Sequence, residues 1–150
     1  GLRRPGPKQL VAWCAMAMGL AAALSATAWW LELELWRGEE QIEVRSFLGL
    51  AGLFLAIVVL APLVEEVLFR GFMLPGYRRS IGSVGAVLLT AALFAVVHLQ
   101  YNVIGMAYVF LLGVVLALAR LRTRSLVTPV ACHAAFNLVA MVAITAETLS

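Results

Sequence analysis

Residues 47–74 read FLGLAGLFLAIVVLAPLVEEVLFRGFML, and this stretch decides the fold class. It is long and apolar enough to cross a bilayer, which takes about 20 residues of helix. Yet it carries Glu65 and Glu66 side by side, with Arg70 close behind. One charge near the bilayer centre costs at least about 2.5–3.5 kcal/mol on insertion scales. Two adjacent carboxylates cost more, because they also repel each other. Such an arrangement requires compensation or a use.

Working outward, the whole chain has the same character. It has 150 residues, is 63% hydrophobic and has a mean hydropathy of +0.99. A soluble domain is nearer half apolar, so the class is an integral membrane protein: an all-α, polytopic membrane helix bundle of about five transmembrane helices. The candidate segments are residues 10–31, 47–74, 83–101, 103–119 and 126–146. Pro62 and the two glutamates interrupt the second. No internal repeat, low-complexity linker or second domain is visible, so residues 1–150 read as one membrane-embedded domain. The chain begins with Gly1 rather than Met, which reads as a core cut from a longer protein, so a further helix could lie at either end.

Charge alternates between the segments. Arg3, Arg4 and Lys8 precede the first; Glu32, Glu34, Glu39, Glu40 and Glu43, against Arg37 and Arg45, follow it. Arg78 and Arg79 follow the second segment, and Arg120, Arg122 and Arg124 precede the fifth. Basic clusters mark the cytoplasmic side, so five spans give a cytoplasmic N-terminus and an external C-terminus; the expected location is a bacterial inner (plasma) membrane. Trp13 at one end of the first segment, with Trp29 and Trp30 at the other, suits interfacial belts. A net charge of +3 calls for no nucleic-acid partner, because the basic residues sit where topology wants them. Cys14 and Cys132 read as small packing residues, with a disulfide disfavoured on redox grounds. Cys132 and His133 are helix neighbours that point about 100° apart, which argues against a Cys–His pair.

Three motifs carry chemistry. In Glu65-Glu66-Val67-Leu68-Phe69-Arg70, Glu66 and Arg70 share a helix face and can pair. Glu65 points away from that contact. Desolvation and its charged neighbour should raise its proton affinity toward the range of a general base. The bland reading is a structural Glu–Arg bridge. In Phe94-Ala95-Val96-Val97-His98, the imidazole lies one turn from the ring. Phe94 reads as packing, and His98 alone reads as a satisfied core histidine. In His133-Ala134-Ala135-Phe136-Asn137, the two polar groups share a face. Ala131, Ala134 and Ala135 admit another helix closely. The bland reading there is a helix–helix hydrogen bond. Jointly, three helices bring polar groups to intermediate depth: roughly 15 Å for Glu65, 20 Å for His98 and 10 Å for His133, counted at about 1.5 Å per residue. These depths meet only through tilt or a kink, for which Pro62, Gly71, Gly82 and Gly85 offer places.

The three motifs, in this order on successive apolar segments, resemble the CPBP family of CAAX-type prenyl-protein proteases and bacteriocin-processing or self-immunity (Abi) membrane proteins. The pattern EExxxR, FxxxH, HxxxN is matched at Glu65 to Arg70, Phe94 to His98 and His133 to Asn137, within about residues 61–142. The resemblance implies an intramembrane endopeptidase. Glu65 would activate a water that His98 helps to hold. His133 and Asn137 would stabilise the oxyanion, and Glu66 and Arg70 would orient these groups. Two histidines and a glutamate also form a familiar zinc set, so a divalent metal on Glu65, His98 and His133 stays open beside a metal-free glutamate mechanism that requires no cofactor. The chain is shorter than the prenyl-protein proteases and shows no obvious extra feature for gripping an isoprenoid. The expected partner is therefore a peptide or protein substrate, prenylated or secreted, that reaches the site within the lipid bilayer. Two other functions compete: a non-catalytic self-immunity or partner-binding protein of the same fold, and a proton or cation pathway. The almost wholly apolar stretch from Phe47 to Leu60 counts against the last.

Overall fold

Gly82 sets the course of the chain. The computed structural model describes the backbone of residues 4–35 and 47–148, with the side chains of 4–35 and 48–142. In it, helical geometry runs without a loop from Phe47 to Val96. Kept straight, a helix of that length would extend roughly 75 Å at about 1.5 Å per residue, more than twice the bilayer's hydrocarbon core. At Gly82 the backbone takes φ 74° and ψ 178°, a combination that only glycine adopts without strain. The chain folds back there, and distant residues meet. The rings of Phe69 and Phe94 lie 5.2 Å apart, and Leu74 shares a buried cluster with Ala86 and Val87.

The elements are α1 (Pro7–Trp30), α2 (Phe47–Phe54), a π-helical segment Leu55–Leu60, α3 (Ala61–Glu66), a second π-helical segment Val67–Met73, α4 (Leu74–Val96), α5 (Val103–Thr123) and α6 (Val127–Thr148). With the reversal at Gly82 they make five helical limbs and no strand among the described residues. Local chemistry explains several boundaries. Pro7 opens α1, where its missing N–H is harmless. Asn102 caps α5, its Oδ1 accepting from the amides of Ile104 (3.0 Å) and Gly105 (3.1 Å). Arg124, left-handed at φ 54°, ends α5. The hydroxyl of Ser125 then accepts from the amide of Val127 at the start of α6.

Small residues set the packing. A side chain at Gly113 would come within 3.2 Å of Ala91, so α4 and α5 touch nearly backbone to backbone. α1 lies on α5 and α6 around Ala17, Leu112, Leu116 and Cys132. The thiols of Cys14 and Cys132 are 3.0 Å apart there, and both are free. Large apolar side chains cover the outside: Leu48, Phe72, Val84 and Val142 are all exposed. Pro7–Trp30, Leu48–Val96 and Val103–Thr123 are long and apolar enough to cross a membrane, and Val127–Val142 is a shorter apolar helix. The protein is a helical membrane bundle, as its composition implies.

Some expectations shift. The third limb stops at Val96 rather than 101, so His98 lies beyond the helix end. α5 continues past 119 to Thr123, which makes Arg120 and Arg122 helical. Arg78 and Arg79 are helical too, in the turns before Gly82. Trp13 packs against the α1–α5–α6 cluster rather than standing in a belt, whereas Trp29 and Trp30 are exposed at the other end of α1. Arg37, Glu39, Glu40, Glu43 and Arg45 lie outside the described residues.

Candidate active site

Proline at position 62 starts the local argument. A proline in a helix has no N–H to give, and the residues before it relax into the π-helical segment Leu55–Leu60. There the amide of Ala61 bonds to the carbonyl of Ala56. The carbonyl of Ile57 would take its π-helical partner from residue 62, which has none. Asn137 of α6 supplies the missing donor, its Nδ2 reaching Ile57 O at 2.9 Å. The irregular backbone is thus satisfied inside the protein, as a membrane interior demands.

The second π-helical segment carries Arg70, with Glu66 at its N-terminal boundary. Both side chains have no exposed surface. Glu66 Oε1 accepts from Arg70 Nη1 at 2.9 Å and from His133 Nδ1 at 3.0 Å. Arg70 Nη2 donates to the carbonyl of Gly113 at 3.0 Å, and its guanidinium lies over the ring of Phe94 at 4.4 Å. Glu66 is therefore a structural anion, bonded by groups from its own limb and from α6. A carboxylate only accepts, so the bond to Glu66 places the proton of a neutral His133 on Nδ1. Nε2 then presents a lone pair, and it faces Glu65 Oε2 at 3.8 Å. Glu65 is partly open, its side chain 29% exposed, yet Oε2 is buried without a hydrogen-bond partner. Two acceptors converging on one point call for a donor between them, such as a water or a protonated group.

Phe94 links this cluster to His98. Its ring is 5.6 Å from the His133 ring and 4.6 Å from that of His98. His98 Nδ1 donates to the carbonyl of Phe94 at 2.7 Å, which again leaves Nε2 as the acceptor. Tyr101 stacks on His98 at 6.3 Å, and burial raises its phenol above the usual range, so it stays neutral.

The structure thus joins Glu65, Glu66, Arg70 and His133 in one contiguous network, and sets His98 beside it through Phe94. It gives Asn137 a partner of its own, the Ile57 carbonyl, rather than aiming it with His133 at one point. Among the described residues no three His, Cys, Asp or Glu side chains are grouped to hold a metal ion. Glu65, His98 and His133 as arranged here do not form one donor set. Sequence reasoning missed Phe69, the Gly113 carbonyl and the stacking of Tyr101. Only Tyr101 carried a signal, as an aromatic residue just beyond FxxxH.

Residues 47–139 match the family model described as type II CAAX prenyl endopeptidase Rce1-like. The chain belongs to that family. The matched region spans α2 to α6 and holds every residue of the network, while α1 lies outside it. An "Uncharacterized 24.3 kDa protein" of Escherichia coli is 43% identical over 83 residues, covering 53% of this chain. The chain spans 38% of that relative's length. No solved structure matches. The Rce1-like family is a protease family, which fits a bundle that keeps a carboxylate oxygen without a hydrogen bond at the point where two motifs meet.

Proposed function

We propose that this protein is an intramembrane endopeptidase that hydrolyses a peptide bond in a membrane-associated protein, prenylated or secreted. The observation that carries the reading is the opposition of Glu65 Oε2 and His133 Nε2 at 3.8 Å, with Glu66 and Arg70 occupied in holding the imidazole. Membership in a protease family supports it. A water donating to both acceptors keeps an oxygen lone pair for the substrate carbonyl. Glu65 takes one of its protons as the new C–O bond forms. That proton passes to the leaving amine as the C–N bond breaks, and Glu65 is restored. His98 Nε2 is the alternative acceptor for the second hydrogen of that water. On its way to the amine the same proton is relayed from Glu65 to His133 Nε2, 3.8 Å away, and the imidazolium so formed donates to the oxyanion until the amine takes the proton. Asn137 contributes by fixing α6 against the Ile57 carbonyl, and its second amide hydrogen is a donor for the oxyanion. The proposed steps use Glu65, the imidazoles and the Asn137 amide, and route nothing through a metal. Insensitivity of cleavage to a strong chelator is the corresponding outcome.

The proposed orientation keeps the N-terminus in the cytoplasm of a bacterial inner membrane. Arg78, Arg79 and Arg120 converge on one pocket. The thiol contact between Cys14 and Cys132 brings the beginning of α1 beside the beginning of α6, just after Arg124. The basic residues thereby favour one end of the bundle, as positive-inside topology requires.

The deciding comparison is the membrane proteome of a null strain against a strain carrying Glu65→Gln. The same uncleaved protein should accumulate in both, and the purified variant should lose on the order of 10²–10⁴-fold in rate, the contribution of a general base. Normal cleavage by Glu65→Gln would refute the assignment. Wild-type phenotype in that strain would point instead to a non-catalytic immunity or partner-binding protein.

A further inference from the structure

A cavity of about 330 Å³ opens where α4 meets the C-terminal end of α5. Four arginines line it: Arg70, Arg78, Arg79 and Arg120. Among the described residues no carboxylate does. Among the described residues only Arg70 has an acidic partner, Glu66 on its far side, while Arg78 spends its Nε on the hydroxyl of Ser83. Guanidinium groups gathered round one cavity repel unless an anion sits among them. Two of the four also leave a buried donor unmet, since Nε of Arg70, which has no exposed surface, and Nε of Arg120 lack partners. Leu74, Pro75 and Leu121 complete the described wall and give it an apolar side.

We propose that this pocket binds the phosphate of an anionic phospholipid, with the headgroup among Arg78, Arg79 and Arg120 and the glycerol and first acyl carbons against Leu74 and Leu121. Three features select a lipid over other anions. The pocket lies between membrane helices at the basic end of the bundle, where such clusters meet headgroups. Its lining is charged and apolar together, like the ligand. The guanidinium fork matches phosphate oxygens two at a time. The floor of the pocket is Arg70, whose other nitrogens hold Glu66 and the Gly113 carbonyl, so a bound headgroup would share a side chain with the network around His133. The pocket adjoins that network through Arg70, but lipid retention does not require the proposed chemistry.

The test reconstitutes the full chain into nanodiscs of phosphatidylcholine with and without phosphatidylglycerol. Native mass spectrometry reads retained lipid, and thermal unfolding reads stability. The expected result is preferential retention of phosphatidylglycerol and a higher melting temperature in its presence. Arg79→Gln with Arg120→Gln should weaken that retention on the order of tenfold or more, and Arg79→Lys with Arg120→Lys should keep most of it. Equal retention of the two lipids by the wild-type protein overturns the proposal, as does undiminished retention by the glutamine variant. If millimolar inorganic phosphate in phosphatidylcholine discs reproduces the full stabilisation, the pocket is a small-anion site and the lipid assignment falls. Should the double glutamine variant not fold, Arg79→Gln alone and the wild-type lipid comparison still decide.

Discussion

Glu65 and Glu66 are neighbours in the chain with opposite fates. Glu66 has no exposed surface and its Oε1 is bonded by Arg70 and His133, whereas Glu65 is 29% exposed and only faces His133 across 3.8 Å; the Oε2 of each is buried without a hydrogen-bond partner. The difference predicts different consequences of substitution. Arg70→Met leaves a buried carboxylate without its cation, and breaking such a pair costs about 3–5 kcal/mol. The variant should show a strongly lowered melting temperature in detergent. Replacing Glu66 by Gln as well should recover part of the loss. Glu65→Gln keeps the side chain's shape and removes a charge that is partly open to solvent and lies 3.8 Å from His133, so it should cost far less stability than Arg70→Met even as activity disappears. The pairing of Glu66 with Arg70 was legible from four-residue spacing alone. The second bond, from His133 across 67 positions, was not, because spacing along one helix says nothing of which other helix lies opposite.

At the scale of elements, the site depends on departures from ideal helix. Pro62 leaves the Ile57 carbonyl without a backbone donor, and Asn137 fills it. Asn137→Leu should therefore orphan a buried acceptor at a cost of about 1–3 kcal/mol. Faster hydrogen exchange along residues 55–62 is the measurement that reports it. Gly82 holds the reversal inside α4, between the Glu-bearing limb and the limb that ends at Val96, at φ 74°. Gly82→Ala meets no neighbouring atom, yet backbone strain alone should destabilise the protein by about 1–3 kcal/mol, read as a drop in melting temperature. The proline and the glycines marked where the chain would bend. The return between residues 74 and 83 was already implied by two separate spans. What the sequence did not reveal is that Gly82 alone makes it, that Arg78 and Arg79 stay helical up to it, and that the third limb ends at Val96 with His98 beyond it. Reversal at Gly82 brings Phe94 against Phe69 and His133, with His98 beside it.

For the whole molecule, the open matter is how α1, outside the family match, joins the rest. It does so through small residues and the Cys14–Cys132 contact. Mild oxidation of the membrane-embedded protein with copper phenanthroline should yield a monomer lacking two hydrogens, with neither thiol open to alkylation. Cys14→Ser should leave Cys132 as a free thiol under the same treatment. Failure to cross-link would place α1 elsewhere.

From the order of residues alone follow the membrane, the number of helical limbs and the identity of the polar groups, since apolar length, charge placement and local spacing are one-dimensional quantities. Which carboxylate is held and which is left unmet, which amide serves the backbone, and how four arginines come to face one cavity were decided only when the helices met. Those outcomes depend on contacts between segments far apart in the chain, where the shape of small residues such as Gly113 and Ala91 sets how near two backbones can come.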